Sequence, residues 1–206
     1  MEMITFMEKT ITNIDIYHDI IESLAAALDA KDVYTSGHST RVGNMSNNLA
    51  ENLGLDDYNL QLIHIAGHLH DIGKIGVPDN ILNKEGALSN HEWELMRNHP
   101  EIGCNILKKA DSLKDISHIV LYHHERWDGN GYPKGLSKEE IPIGSRIIAI
   151  CDSIDAMRST RSYRKAISNL ECYNEILKNK GLMYDPIITD CIIKNWNNIV
   201  IPYYSL

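Results

Sequence analysis

His123-His124-Glu125-Arg126-Trp127-Asp128-Gly129-Asn130-Gly131-Tyr132-Pro133 is the stretch whose reading decides this fold. Two adjacent imidazoles run into a charged turn rich in glycine. Upstream, His68-Leu69-His70-Asp71-Ile72-Gly73-Lys74 sets an imidazole beside a carboxylate. Imidazole and carboxylate are natural ligands of divalent zinc, iron and manganese. A tandem His-His before a Gly-Tyr-Pro turn has little use in an ordinary core. Neighbouring helical residues diverge by about 100°. His70 and Asp71 therefore meet at one ion only where a helix ends, and Gly73 favours such an end.

Ten histidines stand in 206 residues, and each has a plain reading to set beside a functional one. His18 and His118 read as polar positions on helices, and His91 as a surface residue near a helix start. His64 and His68 are four apart and share a helix face. Such a pair can bind metal, but spacing brings it no third ligand. His38 after Gly37, His99 before Pro100 and Asp152 join the His70-Asp71 and His123-His124 set. Asp152 follows Ile147, Ile148, Ala149 and Ile150, which predicts a buried carboxylate. Burying one unpaired is costly, so it calls for a cation; the other reading is a cap on a following helix.

Composition bounds the rest. The hydrophobic fraction is 43%, ordinary for a globular chain. The length suits one well-buried domain. No stretch approaches the roughly 20 apolar residues of a membrane span. Met1-Glu2-Met3-Ile4 lacks the basic and apolar regions of a secretory signal, which points to a cytoplasmic location. Cys104, Cys151, Cys172 and Cys191 form no metal-finger spacing and read as reduced packing residues. The formal charge of −8 argues against a nucleic-acid polymer as partner, since that needs a basic stripe. An anionic ligand must then be met by local Lys and Arg.

The periodicity is helical almost throughout. Ile14, Ile20, Ile21, Leu24, Ala25 and Leu28 mark one apolar face. Val42, Met45, Leu49 and Leu53 mark another, stopped at Gly54. Asp56 or Asp57 caps a helix running toward His70, and Ser89 with Glu92 has capping-box spacing for Ser89 to Arg97. Ser112 to His124 reads as a helix ending in the tandem histidines. Gly129 to Ile143 is irregular. Arg146 to Ala156, Ser168 to Asn179 and Pro186 to Asn197 complete the set. The expected fold is all-α: a single compact multi-helix bundle.

Six stretches together resemble the HD-GYP family, bacterial metal-dependent phosphodiesterases that open cyclic di-GMP. They are Ala30 to Ser39, Leu69 to Asp79, Ile81-Leu82, Trp93 with His99-Pro100, His123 to Pro133, and Tyr184-Asp185-Pro186. The resemblance implies an HD-domain-like bundle over residues 20–206, with residues 1–19 as an extra N-terminal helix. It implies two divalent metal ions, iron or manganese, with zinc compatible by ligand type. One would be held by His38, His70, Asp71 and Asp152, the other by Asp71, His99, His123 and His124. Some members hold a third metal through a Glu four residues before the first His; Tyr34 stands there, so two are expected. Asp71 bridges the pair, and Lys74 contacts the scissile phosphate and assists the leaving group.

The expected reaction is hydrolysis of cyclic di-GMP to linear pGpG, with GMP as the alternative end product, by a hydroxide held between the metals. Arg126, Tyr132, Arg161, Arg164 and Lys165 are the candidates to meet this guanine-bearing dianion. The family's own contacts fall on Tyr132, Arg161 and Arg164. The chain departs from the family in Asp155-Ala156-Met157-Arg158-Ser159-Thr160-Arg161-Ser162-Tyr163, where Arg158 replaces a Thr and Ser162 a Pro. Losing Pro frees the backbone after Arg161, and an added cation could alter substrate preference. Two alternatives stand beside the leading one: hydrolysis of another cyclic dinucleotide, and a non-catalytic cyclic di-GMP sensor. No candidate ligand is missing, which speaks against the sensor. A homodimer through the first helix and control by a separate regulatory protein are the further partner expectations.

Overall fold

A computed structural model describes residues 13–32, 37–160 and 165–204. Among these the protein is helical, and the only β feature is an isolated bridge between Lys180 and Tyr184. The helices are α1 (Asn13–Lys31), α2 (His38–Asn52), α3 (Asp57–Leu69), α4 (Asp79–Leu82), α5 (Asn90–Arg97) and α6 (His99–Leu107). They are followed by α7 (Lys114–Leu121), α8 (Ile143–Arg158), α9 (Asn169–Lys178), α10 (Pro186–Lys194) and α11 (Trp196–Ile199).

Local chemistry sets most boundaries. Asp56 is the cap of α3, accepting from the Asn59 amide at 2.9 Å. Ser89–Glu92 and Ser168–Glu171 form reciprocal capping boxes at the starts of α5 and α9. Asp185 caps α10 by accepting from the Ile187 amide at 2.8 Å, and Pro186 supplies a first position that needs no donor. Two expected helices are shorter than the periodicity suggests. The segment from Ser112 begins as a 3₁₀ turn, continues as α7 and stops at Leu121, so His123 and His124 lie just past the helix. The run from Pro186 breaks at Asn195 (φ −107°, ψ 19°) into α10 and α11. Apolar spacing continues across both breaks, and only the backbone reveals them.

The core is one continuous cluster centred on α2, α3, α7 and α8. Val42, Met45, Leu49, Ile63, Ile147, Ile150 and Ile154 are essentially inaccessible. A satellite of Val77, Ile81 and Leu82 packs under Leu88, Leu95 and Met96. In α1 the sequence suggested one apolar face, but the structure divides it. Ala25 and Leu28 are buried, whereas Ile16, Ile20 and Leu24 stay 44–50% exposed. α1 runs unbroken through residues 19 and 20. No helix among the described residues is long and apolar enough to cross a membrane.

Candidate metal centre

The ends of helices bring the imidazoles together. His70, His99 and His123 each donate Nδ1–H to the carbonyl three residues earlier: Gly67 at 2.8 Å, Met96 at 2.8 Å and Val120 at 2.6 Å. Carbonyls in the last turn of a helix lack an intrahelical donor, and these rings supply one. The bond fixes the tautomer with Nδ1 protonated, leaving each Nε2 lone pair facing inward. His38 reaches the same state differently, through Nδ1 to Asp155 Oδ2 at 2.7 Å.

The freed nitrogens converge on Asp71. His99 Nε2 lies 3.2 Å from Asp71 Oδ1, and His70 Nε2 and His38 Nε2 lie 3.4 Å and 3.6 Å from Oδ2. His38 and His70 approach each other at 3.2 Å through Nε2, and His99 and His123 at 3.3 Å. Two ligand groups result: His38, His70 and Asp71, and Asp71, His99, His123 and His124, each with its donor atoms within 4.8 Å of one another. Asp71 belongs to both, with one oxygen facing each side.

Gly73 makes this possible. A Cβ there would lie 1.8 Å from the His99 carbonyl oxygen and 2.6 Å from the Gly103 amide nitrogen. Only a residue without a side chain lets the turn after Asp71 sit on the backbone of α6, and that contact sets His99 beside the bridge. The helix end expected at Gly73 is present: α3 stops at Leu69 and a 3₁₀ turn runs Ile72–Gly76.

Charge around the centre is arranged in layers. Burial pushes the Asp71 carboxyl up, but the Lys74 ammonium at 2.7 Å and the His70 ring overcome it and hold the group well below the usual range. Lys74 also binds Asp32 at 3.1 Å, a buried residue that the sequence reading passed over. Burial drives His123 and His124 well below their ordinary value, reinforced by neighbouring rings, so both are neutral. For His38, burial is outweighed by Asp155 and Asp71, raising it to about 9. A bound cation reverses that preference by taking the Nε2 lone pair.

Asp155 is the second omission of the sequence reading. It is buried and grips His38, Arg41 through Nε at 2.5 Å, and the Tyr204 hydroxyl. In the sequence it stands one helical turn after Asp152, at the head of the stretch compared with the family, without a role. Asp152 itself lies inside α8, so the capping alternative fails. Its side chain keeps 18% exposure, less buried than its isoleucine neighbours suggested, and its Oδ1 stands 3.5 Å from His38 Nε2.

The Gly-Tyr-Pro turn folds over the second group. A Cβ on Gly131 would meet the Arg126 nitrogen at 2.4 Å and the His124 carbonyl oxygen at 2.6 Å. The bare glycine lets Tyr132 donate its amide to His124 O at 3.2 Å and stack its ring on His124, centroids 4.8 Å apart. Buried Glu125 accepts the Lys134 and Gly135 amides at 2.6 Å and 3.0 Å, bracing the loop from within. Arg97 then lies over both Tyr132 and Trp93, at 5.4 Å and 5.6 Å. A cleft of about 620 Å³ opens here, with Asp71, Lys74, His99, His124 and Asp152 at one end and Leu88, Trp93, Met96 and Tyr132 along its wall.

Other expected substrate contacts sit elsewhere. Arg126 forks onto Asp128 at 3.0 Å and 2.6 Å, and is not among the residues lining the cleft. Arg158, the added cation, donates to the Ile167 carbonyl at 2.6 Å and lies over the Tyr204 ring at 5.3 Å. It serves packing of the C-terminal segment. Arg161, Arg164 and Tyr34 lie outside the described residues.

The donor set fits divalent metal. Imidazoles whose Nδ1–H is already engaged aim their Nε2 atoms, together with the buried Asp71 carboxylate, at shared space, and a cation satisfies them together. Nitrogen and oxygen donors without thiolate suit iron, manganese or zinc alike.

The HD domain family model matches residues 22–188. The cyclic di-GMP phosphodiesterase of Thermotoga maritima is 41% identical over 87% of this chain and 50% of its own length. The 3'3'-cGAMP-specific phosphodiesterase 2 of Vibrio cholerae is 34% identical over 88% of this chain and 35% of its own. The chain thus spans half or less of the length of these curated relatives. The crystal structure of the Vibrio cholerae cyclic GMP-AMP specific phosphodiesterase V-cGAP3 superposes with TM-score 0.65 at 18% identity, covering 87% of this chain and 48% of that one, which shows the fold. A helical bundle with this His/Asp centre under a Gly-Tyr-Pro turn, matched over residues 22–188, belongs to the HD domain family.

Proposed function

We propose that this chain is a metal-dependent phosphodiesterase that hydrolyses cyclic di-GMP to linear pGpG. The observation that carries the reading is Asp71, with one oxygen offered to each of two histidine groups at the floor of an aromatic-walled cleft. Two divalent cations, when bound, supply an acidified water and offset the charge of the phosphoryl oxygens. His38, His70, Asp71 and Asp152 would hold one; Asp71, His99, His123 and His124 the other. Iron or manganese is the expected pair.

The chain's own residues do the rest. Lys74 carries a buried ammonium, its charge secured against burial by Asp71 and Asp32. It lines the cleft, and its proposed role is to meet a phosphate oxygen and to steady the leaving oxygen. Trp93, exposed at the cleft wall, offers its ring to a flat base, while Tyr132, covered by His124 and Arg97, offers its hydroxyl. Burial, with the nearby Asp152 and Asp71 charges, keeps the Tyr132 phenol protonated, so it can donate a hydrogen bond. Arg161 and Arg164 are proposed to grip phosphate or guanine, and Arg126 to hold the Gly-Tyr-Pro loop through Asp128.

A second reading keeps the metals and changes the base. It is favoured by the 34% identity to a phosphodiesterase named for 3'3'-cGAMP and by Ser162 in place of Pro. Anaerobic turnover of a panel of cyclic dinucleotides, with metal analysis of the same sample, tests both. Fastest cleavage of cyclic di-GMP supports the first; fastest cleavage of cyclic GMP-AMP moves the assignment to the second. Tight cyclic di-GMP binding without cleavage by metal-loaded protein makes the chain a sensor. Arg161→Ala is expected to weaken dinucleotide binding roughly ten- to a hundredfold, the loss of about 1.5–3 kcal/mol from one charge-assisted contact. Hydrolysis of a small activated phosphodiester should fall much less. Equal loss on both substrates would place Arg161 in the chemical step.

A further inference from the structure

Of the five histidines that the proposed centre leaves unused, three gather on the other side of α3. His68 precedes His70 by two residues, about 200° around a helix. It is 1% exposed, and its ring lies against α2 at Gly43, where a Cβ would stand 2.5 Å from the ring. His68 Nε2 and His64 Nε2, one helical turn apart, face each other at 3.1 Å. His64 Nε2 also lies 3.1 Å from Asn44 Oδ1 on α2. From α1, the His18 ring approaches to 5.8 Å from His64 and 6.3 Å from His68, centroid to centroid. Glu22, on the same face of α1, lies 4.0 Å from His18.

Hydrogen bonding leaves this group short. A neutral imidazole has one N–H. If His64 carries it on Nε2, that hydrogen can point at His68 or at Asn44, not both. If His68 carries it on Nε2, His64 Nε2 accepts it and faces the Asn44 oxygen without a proton to give. His68 Nδ1 is buried without a partner and offers no escape. A cation satisfies all three acceptors together. The spacing also fits: at metal–nitrogen distances of about 2.0–2.1 Å, cis or tetrahedral ligands stand about 3.0–3.4 Å apart.

The geometry points to a second, non-catalytic cation site, in which His64 and His68 chelate a zinc-class divalent ion and His18 or Glu22 completes it from α1. Asn44 offers a further oxygen. Such an ion would fasten α1 to α2 and α3. The sequence gives only the four-residue spacing in α3; the partner from α1 arises from packing. The inference is independent of the phosphodiesterase reading, because it shares no ligand with the centre described above.

The test uses the full chain with its catalytic centre already loaded. Zinc is added in excess, unbound metal is removed, and bound metal is counted; cobalt reports coordination by its visible spectrum. Wild type is expected to take up one further equivalent, and backbone hydrogen exchange along α1 to slow when it does. His64→Ala and the surface variant His18→Ala are each expected to weaken that uptake at least tenfold, with circular dichroism unchanged. No further uptake by wild type overturns the proposal. So does uptake that survives in both variants. Loss in His64→Ala with full affinity in His18→Ala overturns the bridge to α1.

Discussion

Asp71 illustrates how much depends on single atoms in this molecule. Its two oxygens face different histidine groups, so removing it opens both at once. Asp71→Ala is expected to lose bound metal and turnover together, while circular dichroism stays helical. Metal analysis checks it: two ions per chain with full turnover would remove Asp71 from the bridge. Asp155 acts at one remove. It aims the His38 ring by accepting its Nδ1–H at 2.7 Å, and such partners typically change metal affinity ten- to a hundredfold. Asp155→Asn is therefore expected to weaken metal retention by about that factor in chelator competition. It should also lower stability, since Arg41 and Tyr204 share the same carboxylate. Unchanged metal affinity would reduce Asp155 to a packing role.

Among the elements, the 3₁₀ turn Ile72–Gly76 and the start of α6 decide whether Asp71 and His99 meet. Their contact has no room for a methyl group, because a Cβ on Gly73 falls 1.8 Å from a backbone oxygen that cannot swing aside. Gly73→Ala is expected to cost at least about 1–3 kcal/mol, the usual range for forced overpacking, and to move His99 away from Asp71. Denaturant unfolding and metal counting check it together. A variant of native stability with its metals in place would show that the two backbones can separate freely. The loop from His123 to Pro133 is held by different means, through Glu125 from inside and by backbone pairing of Trp127 and Asp128 with Met183 and Leu182.

For the molecule as a whole, the histidines set the pH range of the metal-free fold. His123 and His124 are held well below 6.5 and His68 at about 4. Each takes up a proton more readily when unfolded, so stability present above pH 6.5 is lost as pH falls toward 4. His38 is raised to about 9. Its contribution is full below pH 6.5 and is lost as pH climbs through 9. Metal-stripped protein is therefore expected to be most stable near pH 6.5, with lower urea midpoints at about pH 5 and about pH 9. A midpoint that rose steadily from pH 5 to 9 would contradict the His38 environment; one that fell steadily would contradict the buried neutral rings.

The sequence by itself determined the helical class and most caps, and it named the five histidines and Asp71 that the structure brings together. Helical period, Ser-x-x-Glu boxes and His-Asp pairs are local features, and local features are written in order along the chain. It misread the ends of two helices, because apolar spacing continues across Tyr122 and Asn195 while the backbone does not. It also passed over Asp155, Asp32, Glu125 and Arg97, whose roles depend on partners far away in sequence: Asp155 and His38 are 117 residues apart. Likewise, His18 has no companion until α1 packs against α3. Only tertiary structure decided these, because a carboxylate's or imidazole's work is set by what burial places within about 3 Å of it, and that neighbour is chosen by packing.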